Sequence, residues 1–245
     1  MSTLLLRLAG PMQSWGSSSL YDRRDTEYYP TKSGVLGMIA GALGRKRGES
    51  LDDLRALRFG VRIDEPGKRM EDFHCTEMHT ETEVYNSNLS RRYYLTDAVF
   101  LVGLESDDDE MLLRFKTALE NPVYTPFLGR RSCPPAGPIV VGFFADKLED
   151  ILRGADWLLS DWRQQLIFRM RDHISLRILV EDIHADTMIR DNPVSYSPFK
   201  RQYAYRGIRE CAPKVIFAPT DATELDEIEL DGIYTTEMDP MQELV

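Results

Sequence analysis

The sequence has few cysteines and no long apolar run. Cys75, Cys133 and Cys211 are odd in number and widely spaced, so they do not form the paired framework of a disulfide-stapled secreted domain. No stretch approaches the ~18 consecutive apolar residues of a membrane span, and the N-terminal apolar run is too short for a signal peptide. We therefore expect a cytoplasmic protein with reduced thiols and no membrane partner. Its 245 residues, 42% of them hydrophobic, suffice for one large domain or two closely packed ones.

Signatures of several enzyme classes are also missing. The sequence has neither a Walker phosphate loop nor a G-x-G-x-x-G placed after a strand, so nucleotide-dependent chemistry is not expected. The segment GSSSL at 16–20 lacks the G-x-S-x-G spacing of a nucleophile elbow. Cys75 and His79 offer only two metal ligands, whereas zinc needs at least three from the protein. We expect no metal and no cofactor.

Basic residues are absent from the C-terminal end of the chain. The formal net charge is −10, but residues 221–245 carry nine acids and no Lys or Arg, and ESDDDE at 105–110 adds five acids. Removing these fourteen from 40 acids leaves 26 against 30 Lys and Arg, a balance of +4. That balance is compatible with a nucleic-acid partner, which is bound through Lys and Arg. The acidic tail is either a solvated terminus or a segment that keeps unsuitable RNA off a basic groove.

Hydrophobic periodicity predicts alternating strands and helices in the first 145 residues. The stretches TLLLRLA, LRFGVRID, YYLTDAVFLVGLE and PIVVGFFA are typical of strands. The stretch PTKSGVLGMIAGALG, at 30–44, predicts a helix capped by Thr31 or Ser33 and ended by Gly44, and DDDEMLLRFKTALENP predicts a second helix. The order β-α-β-β-α-β is that of the α+β ferredoxin-like fold, which is also the fold of the RNA recognition motif.

A long polar insertion, at 64–94, separates the second and third predicted strands. It is far longer than a hairpin turn needs. We interpret it either as a variable surface loop or as a projecting arm that reaches a partner. It ends in a cationic and aromatic cluster that suits nucleic-acid contacts, formed by Arg91, Arg92, Tyr93 and Tyr94.

The first predicted helix has three glycines on one face, at Gly34, Gly37 and Gly41. Each lowers helix stability by roughly 1 kcal/mol relative to alanine, so the missing side chains should serve a close approach. The approaching group is either another part of this chain or the backbone of a nucleic acid. The start of the same helix, with Lys32, is a candidate anion site.

Two further stretches combine arginines with aromatic residues. The stretch YTPFLGRRSCPPAGP, at 124–138, places Arg130 and Arg131 on a rigid loop that suits phosphate contacts or stacking on a base. From position 192 onward, cationic and aromatic side chains interleave, as they do in single-stranded RNA sites. These side chains are Tyr196, Phe199, Lys200, Arg201, Tyr203, Tyr205, Arg206 and Arg209.

Four stretches together resemble the Cas-five family of CRISPR-associated proteins, in the branch found in the type I-E Cascade surveillance complex. They are LLLRLAGPMQSWG, PTKSGVLGMIAGALG, YYLTDAVFLVGL and YTPFLGRRSCPPAGP, in that order. The resemblance covers most of residues 3–145 and returns weakly at 198–206. It implies a ferredoxin-like palm at 1–145 with an inserted extended thumb at about 72–93. A smaller β-rich C-terminal region with an acidic tail follows at 146–245.

The resemblance also implies a function. Proteins of this kind are non-catalytic RNA-binding subunits of the RAMP superfamily that hold the 5′ handle of the crRNA and cap the backbone filament in antiviral DNA interference. The implied partners are the crRNA 5′ handle, the CasC backbone subunit, the CasA large subunit and, indirectly through the complex, target DNA. The alternative is a metal-independent endoribonuclease that processes CRISPR repeat RNA, as a type I-C relative does.

The motifs and basic clusters nominate a set of RNA-binding residues, among which Gln13 and Trp15 would serve base edges and stacking. The set is Gln13, Ser14, Trp15, Arg23, Arg24, Thr31, Lys32, Ser33, Arg91, Arg92, Tyr124, Arg130, Arg131, Ser132, Arg201 and Arg206. The leading interpretation contains no catalytic residue. In the alternative, 2′-hydroxyl attack needs a base, an acid and a cation, which His74, Tyr28 or Tyr29, and Lys32 would supply. The other explanation of His74 is a structural or surface histidine.

Overall fold

The computed structural model describes residues 1–16, 23–79, 84–197 and 199–219. The acidic tail at 221–245, the middle of the predicted thumb at 80–83 and most of GSSSL lie outside these residues. The described part is a mixed α+β fold dominated by sheet, and none of its helices is long and apolar enough to cross a membrane. Its elements are β1 (Ser2–Ala9), β2 (Met12–Gln13), β3 (Arg23–Arg24), α1 (Lys32–Ala42), α2 (Asp52–Arg55), β4 (Arg58–Glu65), β5 (Lys68–His79), β6 (Val84–Thr96), β7 (Val99–Ser106), α3 (Asp109–Glu120), β8 (Val140–Phe144), α4 (Leu148–Gly154), α5 (Asp161–Phe168), β9 (His173–Glu181), β10 (Thr187–Ser195) and β11 (Gln202–Phe217).

Seven strands form one sheet in the order β10-β11-β9-β4-β7-β1-β8, and each neighbouring pair is antiparallel. Strands β1, β4 and β8 and helices α1 and α3 occur where hydrophobic periodicity predicts them. Strands β9, β10 and β11 continue the same sheet beyond β4. The division of the chain at residue 145 stays a prediction.

Both faces of this sheet are covered, and the leucines of β1 divide between them. Leu4, Leu6 and Leu8 belong to a core that includes apolar residues of α1 and α3. Leu5 lies in a second core together with Leu148 of α4. Successive side chains of a strand point to opposite faces, so a strand between two layers needs apolar residues at nearly every position, as β1 has from Leu4 onward apart from Arg7.

Helix α1 begins at Thr31, one of its two predicted caps, and α3 is capped by Asp108. The Thr31 hydroxyl accepts a hydrogen bond from the Gly34 amide at 3.2 Å, and the Asp108 carboxylate accepts one from the Met111 amide at 2.9 Å. Each bond satisfies an amide that the first helical turn leaves without a partner. Gly44, just after α1, has a φ of +75°, a conformation that glycine adopts without steric cost.

The segment YYLTDAVFLVGLE does not form the single strand predicted for it. It is divided between the end of β6 and β7 by a turn at Asp97, whose φ is +56°. The Asp97 amide donates to the carbonyl of Pro11 at 3.3 Å, and a short polar side chain tolerates this left-handed conformation. The turn moves the chain from a second sheet, formed by β2, β3, β5 and β6, into the seven-stranded sheet.

The polar insertion after β4 forms a long hairpin rather than an irregular loop. Strands β5 and β6 pair antiparallel from Lys68 and Thr96 at the base to His79 and Val84. Its side chains are largely exposed where they are described, as Phe73 is. Near the base, β2 pairs antiparallel and β3 pairs parallel with β6. The predicted thumb at 72–93 lies within this hairpin.

Candidate nucleic-acid interface

The middle of the loop GPMQSWG is packed inside the protein, where Gln13 and Trp15 are 0% exposed. The Gln13 Nε2 donates to the carbonyls of Leu8 and Ala98 at 3.1 and 2.7 Å, and the Gln13 Oε1 accepts from the Trp15 Nε1 at 3.0 Å. These bonds join the end of β1 to the start of β7. The predicted base contacts of Gln13 and Trp15 are therefore corrected, because their polar side-chain atoms are buried and already bonded within the chain.

The Trp15 ring accounts for one glycine of α1. A Cβ at Gly34 would lie 2.8 Å from the Trp15 Cε3, closer than real side-chain carbons come. A Cβ at Gly37 would lie 3.4 Å from the Tyr196 hydroxyl oxygen. A Cβ at Gly41 would have no neighbour within 4 Å among the described residues. The sequence left two explanations for the glycine face, close approach by another part of this chain or by a nucleic-acid backbone. At Gly34 the approaching group is the Trp15 ring of the chain itself.

The start of α1 binds a carboxylate of the chain itself. The Asp191 Oδ2 accepts from the Lys32 amide at 2.8 Å, and the two Asp191 oxygens accept from Arg206 at 2.6 and 2.9 Å. The Lys32 ammonium donates to both Glu181 oxygens at 2.8 and 3.1 Å. Burial lowers the pKa of Lys32, and the Glu181 carboxylate opposes that shift.

The predicted RNA contacts around this helix start are corrected to a structural role. Thr31, Lys32, Ser33 and Arg206 are all buried, and the Tyr196 hydroxyl donates to the Ser33 carbonyl. Buried charges are tolerated when they are paired and hydrogen-bonded, and here the partners come from β9 and β10. These residues therefore join α1 to the C-terminal strands, and the anion position is already filled.

Arginines from separate segments meet at the base of the hairpin. The parallel pairing of β3 with β6 aligns Arg23 with Arg91 and Arg24 with Arg92. From the loop after α3, the Arg130 Nη2 donates to the Arg24 carbonyl at 2.7 Å. We call this group and its stacking partners the arginine–tyrosine cluster, which consists of Arg23, Arg24, Arg69, Arg91, Arg92, Tyr93, Tyr94 and Arg130.

Two tyrosine rings support three of these guanidinium groups. The guanidinium carbon of Arg130 lies 4.7 Å from the Tyr94 ring centroid, and those of Arg69 and Arg23 lie 4.2 and 5.2 Å from the Tyr93 centroid. Both rings are buried. At these separations the ring quadrupole attracts a cation, so the rings fix the positions of the guanidinium groups.

Arg69 is a member of the cluster that the sequence analysis did not nominate. It lies at the start of β5 opposite Leu95 of β6, and only that pairing brings it to Tyr93. A hydrogen bond with Tyr28 raises the pKa of Arg69. No local sequence signal distinguishes Arg69 from the other charged residues of the insertion.

Carboxylates balance part of the charge of the cluster. Asp25 lies 2.7 Å from the Arg69 guanidinium and 3.6 Å from that of Arg23, and Glu71 lies 3.6 Å from Arg91. Arg23, Arg69 and Arg91 are thereby paired with carboxylates, from Asp25 just after β3 and from Glu71 of β5.

Other arginines of the cluster retain unmet donors. Among the described residues, no ion pair joins Arg24, Arg92 or Arg130 to a carboxylate. The Arg92 Nε and the Arg130 Nη1 are buried without a hydrogen-bond acceptor in that part of the chain. A buried unsatisfied donor costs about 1–3 kcal/mol. Both side chains are only half-buried as a whole, so each presents part of its cationic surface to an anionic ligand. The cluster therefore has the chemistry of an anion site.

The loop after α3 is held against GPMQSWG, and this contact positions Arg130. The Ser14 amide donates to the Leu128 carbonyl at 3.1 Å, and the Ser14 hydroxyl donates to the Tyr93 carbonyl at 3.0 Å. Gly129 has a φ of +85°, and a side chain there would overlap the Ser14 carbonyl. Ser14 is buried and holds the Arg130 loop and the Tyr93 backbone in place. The RNA contact predicted for Ser14 is therefore corrected to this structural role.

The remaining nominated residues are exposed. Arg131 and Ser132 follow Arg130 on the same loop. Tyr124 lies near the end of α1, since the preceding residue, Val123, donates its amide to the Ala42 carbonyl at 2.9 Å. Arg201 precedes β11. No described contact joins Tyr124 or Arg201 to the arginine–tyrosine cluster.

The residues of the nuclease alternative lie in different environments. His74 is exposed on β5 with its Nδ1 3.5 Å from the Asp72 carboxylate, Tyr28 adjoins Arg69, and Lys32 is buried against Glu181. Burial raises the pKa of Tyr29. Within the described part of the chain, no contact brings a base, an acid and a cation together from this set. Across the part of the chain that the structure describes, no three His, Cys, Asp or Glu side chains lie close enough together to hold a metal ion.

Comparison with known proteins agrees with the four motifs. A family model described as "CRISPR-associated protein (Cas_Cas5)" matches residues 3–209. Over 159 residues the chain is 36% identical to the CRISPR system Cascade subunit CasD of Escherichia coli (strain K12), covering 58% of this chain and 70% of that protein.

Two solved structures extend the likeness to most of the chain. One, a crystal structure of a Cas protein, has a TM-score of 0.66 and 37% identity, covering 86% of this chain and 95% of that one. The other, from a CRISPR RNA-guided surveillance complex, has a TM-score of 0.69 and 31% identity, covering 88% and 91%. The resemblance seen in the sequence is confirmed, and the chain belongs to the Cas5 family of CRISPR-associated proteins.

Proposed function

We propose that this chain is a non-catalytic, RNA-binding subunit of a Cascade-type CRISPR surveillance complex, in which it holds the 5′ handle of the crRNA and caps the backbone filament. The observation that carries the proposal is the arginine–tyrosine cluster at the base of a long hairpin. There Arg130 stacks on the Tyr94 ring and, like Arg24 and Arg92, forms no ion pair within the described part of the chain. Family membership and likeness to a chain of a surveillance complex support it.

The chemistry of the cluster suits a single RNA strand. Guanidinium groups bind phosphates through charge-assisted hydrogen bonds, and unpaired bases stack on guanidinium planes as they do on aromatic rings. Arg130 on Tyr94 and Arg23 on Tyr93 would lose little freedom on binding, because the rings already restrain them. Exposed Arg131 extends the cationic surface along the loop.

The proposed architecture is a ferredoxin-like palm with an extended thumb. The elements β1, α1, β4, β7, α3 and β8 follow one another as β-α-β-β-α-β, and their strands lie in the order β8-β1-β7-β4, as in ferredoxin-like folds. The β5–β6 hairpin, inserted between β4 and β7, is the proposed thumb. The palm then occupies residues 1–145, and β9, β10 and β11 belong to the region at 146–245.

The proposed partners are the crRNA 5′ handle, a CasC backbone subunit next to the thumb and a CasA large subunit nearby, with target DNA reached through the complex. The Escherichia coli relative is a Cascade subunit, and one structural relative is part of a surveillance complex. We place the assembly in the cytoplasm, where crRNA is made.

Binding of end-labelled CRISPR repeat RNA to the full chain, in excess EDTA and over a series of salt concentrations, tests the proposal. The variants are Arg130→Ala and Arg92→Ala, with Arg153→Ala on an exposed part of α4 as the control. Each lost phosphate contact should lower the slope of log K against log salt by about 0.7 for a single strand. Arg153→Ala should match the unmodified chain.

Equal RNA affinity and salt slope in all three variants would overturn the assignment of the cluster. A denaturing gel of the same samples tests the absence of catalysis. Intact RNA supports a binding subunit, whereas cleavage that disappears in His74→Ala would replace it with the endoribonuclease alternative. Lys32→Met would not distinguish the two, because the buried ion pair with Glu181 serves the fold.

A further inference from the structure

Helix α5 carries an apolar stripe that faces solvent. Trp162, Leu166 and Met170 recur every four residues, on the helix and in the turn after it, and their side chains are 67%, 39% and 80% exposed. The neighbouring Ile167 and Phe168 instead pack on the core formed by Trp157, Leu159 and Leu176. The helix therefore has two apolar faces. The face with Ile167 and Phe168 is covered by other described residues, and the face with Trp162 and Leu166 is exposed. An exposed apolar surface of this kind marks an interaction site.

The end of the described chain lies beside this stripe. The Ala218 amide, just after β11, donates to the Asp172 carbonyl at 2.9 Å, and Asp172 is two residues beyond Met170. At least 26 further residues follow, at 220–245. The stripe from Trp162 to Met170 is about 12 Å long at the helical rise of 1.5 Å per residue, a distance that about four extended residues span.

The composition of the segment at 220–245 complements the surface around the stripe. Arg169 and Arg171 flank Met170, and neither forms an ion pair within the described part of the chain. The segment carries nine acids and no base. Its acids are interspersed with apolar side chains, among them Leu225, Ile228, Leu230 and Ile233. The described chain thus ends next to a basic and apolar surface, and the residues that follow it in sequence are acidic and apolar.

We propose that the segment at 220–245 docks on α5, covering Trp162, Leu166 and Met170 with its apolar side chains and pairing its acids with Arg169 and Arg171. A tethered segment has an effective concentration on the order of millimolar, so weak individual contacts suffice to keep the site occupied. The acidic tail is then a specific internal ligand of this surface, and a subunit that binds α5 has to displace it.

Acrylamide quenching of tryptophan fluorescence in the full chain tests this docking, because Trp162 is the exposed member of three tryptophans, beside Trp15 at 0% and Trp157 at 8%. One variant combines Ile228→Asp, Leu230→Asp and Ile233→Asp. Its control combines Thr220→Asp, Thr223→Asp and Thr235→Asp, which adds the same charge and keeps the apolar side chains. A Trp162→Phe chain identifies the Trp162 signal.

The apolar-to-acid variant should raise the quenching constant of Trp162 severalfold and shift its emission to longer wavelength, while the control should match the unmodified chain. Joint Arg169→Glu and Arg171→Glu substitutions should expose Trp162 in the same way. The proposal is overturned if Trp162 in the unmodified chain is already as accessible as in the apolar-to-acid variant. Protection that vanishes on dilution would also overturn it, because a second copy would then be the occupant.

Discussion

Replacing Gly34 with alanine should destabilise the protein, whereas replacing Gly41 with alanine should stabilise it. Both glycines lie in α1, yet their surroundings differ. A Cβ at Gly34 would lie 2.8 Å from the Trp15 Cε3 and 3.0 Å from the Trp15 Cζ3, and a Cβ at Gly41 would meet nothing within 4 Å. Trp15 is buried and tied to Gln13, so its ring has little room to move away.

The two substitutions share one energetic effect and differ in another. Each gains up to roughly 1 kcal/mol because alanine forms helix better than glycine. Gly34→Ala also overpacks the site against Trp15, which costs about 1–3 kcal/mol. The shared gain cancels in the comparison, so the difference in unfolding free energy should be about 1–3 kcal/mol in favour of Gly41→Ala.

Thermal and urea unfolding of the two full-length variants measure this difference. At about 2–4 °C per kcal/mol for a chain of this size, the thermal midpoints should differ by roughly 2–12 °C. Gly37→Ala, whose Cβ would lie 3.4 Å from the Tyr196 hydroxyl, should fall between them. Equal midpoints, or a more stable Gly34→Ala, would refute the packing argument. Weaker RNA binding by a normally stable Gly41→Ala would instead indicate that this glycine lets RNA approach.

Three other perturbations test contacts that position the site. Asp191→Ala should cost about 3–5 kcal/mol in urea unfolding, because it leaves Arg206 buried without its carboxylate. Gly129→Ala should sharply reduce the soluble yield of the protein, since the φ of +85° there suits glycine. A hydrogen bond from Arg45 lowers the pKa of Asp53 from its usual 3.8 in the folded protein. The stabilisation that this bond contributes to the folded state is therefore fully present above pH 3.8 and is lost as the pH falls through the lowered pKa. Urea midpoints from about pH 6 to about pH 3 should therefore depend less on pH in Arg45→Gln.

Local sequence patterns were sufficient to predict the elements that carry their own signals. The leucine run of β1, the Thr31 cap of α1 and the hydrophobic periodicity of α3 act within a few residues, so the sequence displays them directly. The prediction of a single strand for YYLTDAVFLVGLE was wrong because the chain turns at Asp97, whose amide donates to the carbonyl of Pro11. Periodicity does not report a partner that is distant in sequence.

The candidate site was predictable in residue type but not in placement. Arg130 was nominated from its loop, and the structure brings it to Arg24 and Tyr94. Lys32 was nominated from the start of α1 and Arg206 from the cationic and aromatic stretch after position 192, yet both are buried in ion pairs. An arginine in a phosphate site and one in a buried ion pair look alike in sequence, because the difference lies in whether a carboxylate is folded against it.

Sequence patterns were enough to place β1, β4, β8, α1 and α3, to separate acidic from basic residues and, through four ordered motifs, to identify the family. Which polar residues turn inward depends on the tertiary structure. Gln13 and Trp15 are buried and hydrogen-bonded between the end of β1 and the start of β7. The pairing of β3 with β6, in contrast, brings the arginines of the cluster together. Helix and strand signals act over a few residues, but burial and pairing depend on chain segments that only the completed fold brings together.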